Sequence, residues 1–283
     1  MAETAATLNR PAVRATIKWG GAILLAASFA FIGERFWRLD WSSLQPHLSG
    51  AFLLAIAGAG LLFGLADHAL AQAWRTLADP ERSLHSRTAT SIYGRGVLMK
   101  YLPGSVFQYL GRQVGGATAG LEHGRMARSS VTEVLLHLVA SFSVAVVCLL
   151  LDMAPIVALT VAGAMGIAAY SSRRSLVTSL VWQFAAFFGF ALAAVLIGAT
   201  VLPAGSSLFH FAGLFLLAWL AGFVVPIAPG GIGVREAALL ALAGAHLPAA
   251  NLLAAVLALR LASIGGDLAY GLIALSRNKV SSL

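Results

Sequence analysis

Several ionisable residues stand in the middle of apolar sequence, and their types point to the binding of an anion. Arg235 and Glu236 follow directly on Ala228-Pro229-Gly230-Gly231-Ile232-Gly233. Arg260 lies near the centre of a long apolar run, and Asp267 is seven residues on, roughly on the same helical face. Glu133 and His137 are four apart and share a face. Lys100 and Arg112 flank Leu102-Pro103-Gly104, and Asp67-His68 interrupts a further apolar run. An arginine beside a helix N-terminus that opens after a break adds a fixed positive charge to unpaired backbone N–H groups. That combination suits a phosphate. Glu236 would then balance Arg260 or meet a cationic headgroup. Ionisable groups at membrane depth default to functional readings, but plainer ones stand beside some of them. Glu133 also fits an end-of-helix residue at the interface, and Asp67-His68 a satisfied polar contact within a bundle. Arg112, Arg125 and Arg128 fit cytoplasmic water or lipid phosphate.

Other chemistries find little support. Asp79-Pro80-Glu81 is the one close acidic pair in a loop, a poor signal for a metal–nucleotide site. There is no Gly-x-x-x-x-Gly-Lys-Ser/Thr loop and no His-Glu-x-x-His. Glu133 and His137 would supply two metal ligands, and the spacing offers no third. The glycines at 230–233 follow no strand, so a dinucleotide site is excluded. The single cysteine, Cys148, lies in an apolar run and permits neither an internal disulfide nor a cysteine zinc site. No cofactor and no metal are expected.

The elements that must carry these residues are membrane helices. Of the 283 residues 59% are hydrophobic and 11% charged, against roughly 25% charged in soluble domains, and the mean hydropathy is +0.85. Apolar runs at 19–36, 49–74, 131–151, 154–170, 176–201, 208–227 and 247–275 approach or exceed the roughly 20 residues that cross hydrocarbon. They do not alternate and are too long for barrel strands. The formal charge of +8 follows the positive-inside bias and attraction to anionic lipid rather than nucleic-acid binding, because no soluble surface carries a basic stripe. Arg10, Arg14 and Lys18 before the first run resemble a signal peptide, but the run continues to Phe36 and further spans follow. A retained first span is expected.

Lysine and arginine positions alternate along the loops and put both termini in the cytoplasm. Two segments then fail as plain spans: 91–112, and 208–245, each interrupted by Pro-Gly. Proline removes a backbone donor and glycine loosens the backbone, so neither continues as one straight helix. The fold class expected is an all-α integral membrane protein of about seven to eight transmembrane helices, one polytopic domain over 1–283. Two re-entrant hairpins would break at Pro103, Gly104, Pro229, Gly230, Gly231 and Gly233. Halves 1–152 and 153–283 would each read span–span–broken hairpin–span, compatible with an inverted repeat, and such breaks point to a transporter's binding site. Two ordinary kinked helices are the plainer alternative.

Two stretches resemble the transmembrane domain of the bacterial lysylphosphatidylglycerol synthase/flippase family, the flippase-like domain proteins. Residues 99–112, MKYLPGSVFQYLGR, are similar to its Lys-Tyr-Leu-Pro-Gly segment ending in arginine. Residues 226–237, PIAPGGIGVREA, are similar to its Pro-Gly-Gly-x-Gly-x-Arg-Glu signature, and Arg260 matches an arginine in the span that follows. Many members place Gly-Glu shortly after the first Pro-Gly; this chain has Val106-Phe107-Gln108-Tyr109, with Gln108 the nearest polar residue. The two-part members carry a soluble aminoacyl-transferase domain after the membrane domain, and this sequence ends at Leu283. The resemblance therefore implies the translocating half alone, moving a phospholipid or polyprenyl-linked lipid between leaflets of the cytoplasmic (inner) membrane.

The leading expectation is a lipid translocase, a transporter rather than an enzyme. Arg112 and Arg235 would bind the lipid phosphate and Arg260 would supplement them. Glu133 and Glu236 would balance charge or engage a cationic headgroup, with Gln108 and Lys100 beside the first break. The expected partners are a membrane lipid with an anionic or zwitterionic headgroup and a separate lipid-modifying enzyme, with homo-oligomers left open. The alternatives are a membrane enzyme acting on lipid-linked sugar or acyl donors through Glu133, His137 or Asp79, and a non-catalytic partner of a glycosyltransferase or lipid synthase.

Overall fold

In hydrocarbon every backbone N–H and C=O has to be paired, so apolar runs of this length form helices. The computed structural model describes residues 42, 45, 47–101, 106–156, 160, 163, 175–225, 231, 233–243 and 247–279. The expected first span and most of 154–170 lie outside these residues. So do Pro103, Gly104, Pro229 and Gly230 of the expected breaks. The described residues form eight principal helices and no strand: α1 (Gly50–Ala78), α2 (Ser86–Met99), α3 (Phe107–Thr118), α4 (His123–Met153), α5 (Ser175–Val201), α6 (Leu208–Val224), α7 (Val234–Ala243) and α8 (Ala249–Lys279).

Four of these helices are long and apolar enough to cross a membrane, over Gly50–Ala78, His123–Leu151, Ser175–Val201 and Ala249–Ser276. The side chains are arranged for lipid outside and polarity inside. Leu54 is 75% exposed, while Asp67 on the same helix is 3% exposed and Glu133 on α4 is 1%. Helix starts are capped where the sequence allows it: the Ser49 hydroxyl accepts from the Phe52 N–H at 3.2 Å, and Ser207 accepts from the His210 N–H at 3.1 Å.

Each Pro-Gly segment is flanked by a helical pair that packs on itself, α2 with α3 and α6 with α7. Helix α1 lies against α5 and α8, α4 against α5 and α6, and α2 against α8. The approach of α1 to α8 is set by glycine. A side chain on Gly60 would stand 3.3 Å from the Ala262 carbonyl oxygen, and one on Gly64 3.3 Å from that of Gly266. Small residues let two helix backbones meet this closely. Asp67 is one turn beyond Gly64 and Asp267 follows Gly266, so the same contact brings two carboxylates to one level.

After α1 the chain turns on Asp79. Its carboxylate accepts from the Ser83 N–H at 2.9 Å, the Ser83 hydroxyl at 2.7 Å and the Leu84 N–H at 2.7 Å. Asp79 is 1% exposed and is fully engaged in shaping this loop. Its role is structural, and the acid–base or metal role considered for it has no room there.

Candidate functional site

A cavity of about 400 Å³ lies between the eight helices, with α5 contributing Phe190. Lys100, Gln108, Arg112, Arg235, Glu236 and Arg260 all line it. They come from positions as far apart as 100 and 260, so the fold gathers them. Asp67, Asp267 and His137 line it as well, and Glu133 stands behind Arg112. Aromatic rings form part of the lining, with Arg235 lying over one of them. Trp219 stacks on Phe223 at 5.2 Å between ring centres, and the His137 ring stacks on Phe223 at 5.4 Å.

Arg112 is placed by α3 and locked by α2 and α4. Its Nη1 meets Glu133 Oε2 at 2.6 Å. Its guanidinium carbon is 4.6 Å from the Tyr93 ring centre and 4.9 Å from that of Tyr109. The Tyr93 hydroxyl donates to the other Glu133 oxygen at 3.2 Å. Arg112 is 4% exposed, so it faces neither cytoplasmic water nor lipid phosphate, and Glu133 is no interfacial end residue. Both carboxylate oxygens of Glu133 are engaged, and the His137 ring nitrogen Nδ1 is 3.0 Å from the Glu133 carbonyl oxygen. Neither is set up as a metal ligand, and among the described residues no three His, Cys, Asp or Glu side chains converge. Arg125 and Arg128, by contrast, are outward: Arg125 reaches Glu81 at 3.3 Å and Arg128 its own helix at the Gly124 carbonyl.

At the second break the backbone is held by a paired acid and base. Gly231 and Gly233 have φ of +70° and +86°, a left-handed conformation open to glycine at little cost. The Gly233 N–H donates to Glu236 Oε2 at 2.6 Å, the reach-back of an N3 glutamate at a helix start. The other Glu236 oxygen accepts from Arg260 Nε, and Arg260 Nη2 donates to the Gly231 carbonyl at 3.2 Å. One donor and one acceptor exposed by the break are thereby satisfied within the protein, as irregular backbone at membrane depth requires.

Arg235 is left different from its neighbours. Its guanidinium lies over the Trp219 ring at 5.1 Å, its Nε is buried without a hydrogen-bond partner, and it makes no ion pair among the described residues. A glycine at 222 leaves room for it, since a Cβ there would lie 3.0 Å from Arg235 Nε and 3.2 Å from Cδ. The third pair joins Lys100 to Asp267 at 2.8 Å, with the Tyr101 hydroxyl donating to the other Asp267 oxygen. Asp67 and His68 point about 100° apart on α1, Asp67 into the cavity and His68 outward, near Gln72 at 3.4 Å.

Sequence reasoning passed over Tyr93, Tyr101 and Trp219, whose rings and hydroxyls position the charges. In an apolar chain an aromatic residue reads as packing, and only the adjacency of Tyr101 to Lys100 gave a hint. Compared with protein-family models, with curated proteins and with solved structures, the chain has no match.

Proposed function

We propose that this chain is a lipid translocase of the cytoplasmic membrane, moving a phospholipid or polyprenyl-linked lipid between leaflets. The observation that carries the reading is Arg235, a cation without an ion-pair partner among the described residues, facing a cavity lined in part by aromatic rings. A charge held this way at membrane depth is costly. An anionic ligand offsets that cost, and a guanidinium matches a phosphodiester in two parallel hydrogen bonds. The aromatic lining suits the apolar stem next to such a headgroup. A polar headgroup crossing unaided faces a steep desolvation cost, which fixed partners in the cavity lower. The helix pairs α2–α3 and α6–α7 act as re-entrant hairpins that line the cavity, and both termini face the cytoplasm. The resemblance of 226–237 to the flippase-like signature points the same way.

The other two arginines of the cavity serve this site indirectly. Arg112 is neutralised by Glu133 and Arg260 by Glu236, so they shape the cavity and its field, while Arg235 takes the phosphate. The enzyme reading is weaker, because Glu133 and Asp79 already have every carboxylate oxygen occupied.

The test is reconstitution of the purified protein in liposomes carrying a labelled anionic lipid. The label changes leaflet without change of mass, faster than in empty liposomes. No movement across a panel of phospholipids and polyprenyl phosphates, or a chemically altered lipid, overturns the reading.

A further inference from the structure

Charge at the cavity balances except in two places. Lys100, Arg112 and Arg260 are matched by Asp267, Glu133 and Glu236. Arg235 remains on one side and Asp67 on the other. Asp67 is 3% exposed, its Oδ2 has no hydrogen-bond partner, and it makes no ion pair among the described residues. Asp67 and Asp267 line the same cavity, on the two helices that the glycine contact of α1 with α8 holds together. Asp267 is already held by Lys100 and Tyr101, and a second carboxyl buried in the same cavity without a cation of its own is favoured in its protonated form.

From this arrangement we propose that Asp67, backed by Asp267 and Lys100, is a proton-binding site that couples lipid movement to the proton gradient. The proposal rests on the translocase reading and names its energy source. The groups facing Asp67 are few. Helix α8 contributes Asp267 and the Tyr270 hydroxyl, the middle of α2 contributes Tyr93, the turn after α2 contributes Lys100 and Tyr101, and α7 contributes Arg235. From α4, Glu133 and His137 stand beyond Tyr93, and α5, packed along α1, has no ionisable residue. Lys100 is thus one cation against two acids.

The coupling follows from charge. With a proton on Asp67, Lys100 and Asp267 cancel and Arg235 is the one uncompensated charge, so an anion binds well. When the proton leaves, Asp67 opposes Arg235 and the anion is released. By linkage the anion holds the proton as firmly as the proton holds the anion. A phosphodiester carries one negative charge, so one proton travels with one lipid, taken from water on one side and returned to water on the other. The geometry favours a proton over a headgroup amine, since Asp67 shares its cavity with the Lys100–Asp267 pair and is 3% exposed.

The full chain in phosphatidylcholine vesicles, with a trace of labelled phosphatidylglycerol, gives the test. One proton per lipid sets a tenfold excess of label in the leaflet facing the more alkaline side for each pH unit of gradient. Asp67→Asn brings that ratio to one. Movement in the wild type with a ratio of one at every gradient overturns the coupling and leaves the translocase reading standing. Absence of movement overturns the translocase reading, and the proton site is then decided by infrared difference spectra in detergent. Adding short-chain phosphatidylglycerol raises a protonated-carboxyl band in wild type and in Asp67→Glu that Asp67→Asn lacks. A spectrum without that band in the wild type overturns the site.

Discussion

Replacing Arg235 by alanine separates binding from folding at this site. The guanidinium has no acidic partner among the described residues; it lies over the Trp219 ring at 5.1 Å, and the side chain packs against Gly222 and Gly231, where no hydrogen bond of its Nε is lost. Loss of the ring contact costs about 0.5–2 kcal/mol, and removal of a poorly solvated charge returns much of it. Stability therefore shifts by no more than about 1 kcal/mol, a few degrees in melting temperature for a chain this long. Binding behaves differently. A phosphate about 4 Å from the guanidinium at an effective dielectric near 20 is attracted by about 4 kcal/mol. Exchange against water leaves about 1.5–3 kcal/mol for such a charged hydrogen bond. Arg235→Ala should weaken short-chain phosphatidylglycerol by about 10- to 150-fold in titration calorimetry, taking tenfold as about 1.4 kcal/mol. Arg235→Lys falls between, keeping the charge and losing the planar fork. A folded Arg235→Ala that binds as the wild type does would refute the assignment. A variant that fails to fold would show that the arginine holds the fold through a partner outside the described residues.

Two further perturbations address the paired charges. Glu133→Gln leaves Arg112 buried without a counter-charge and lowers stability by about 3–5 kcal/mol; the double change with Arg112→Gln recovers part of it in thermal unfolding, and an equal loss in single and double variants would show no coupling between the two. Exchanging the members of the second pair, Glu236→Arg with Arg260→Glu, keeps the ion pair but cannot accept from the Gly233 N–H or donate to the Gly231 carbonyl. The exchange therefore fails to restore folded yield, and a full rescue would reduce the pair to simple charge attraction.

The sequence showed which residues were unusual but not how they pair. Lys100, Arg112, Arg235 and Arg260 stand out because ionisable groups are rare in apolar runs, and this needs no knowledge of the fold. The partners are separated by 167, 21 and 24 positions for Lys100–Asp267, Arg112–Glu133 and Arg260–Glu236. Only helix packing decides such distances. Arg112 illustrates the difference: beside other arginines in a loop-like stretch it reads as surface charge, and burial between two tyrosines is visible only once α2, α3 and α4 are assembled. Asp67 and His68 show it again, since adjacent residues on a helix point about 100° apart. The helical class and the long spans were legible from composition, whereas the glycine contact that juxtaposes Asp67 and Asp267 was not, because Gly60, Gly64 and Gly266 carry no side-chain signal.

The paired and unpaired charges do different work for the same physical reason. A neutralised pair in a low-dielectric cavity has little field left to attract a ligand, but it can hold backbone and side chains in place. Glu236 and Arg260 do this at the break, where they satisfy one N–H and one C=O. Arg112 and Glu133 do it between α3 and α4. A group that must bind and release has to stay unmatched, at a cost that the surrounding pairs make tolerable by fixing its position. Arg235 lies one residue from Glu236, on the first turn of the helix that this pair anchors. The break therefore serves Arg235: the staple at 231–236 sets the helix start, and the helix start aims the arginine of the cavity that no acid holds among the described residues.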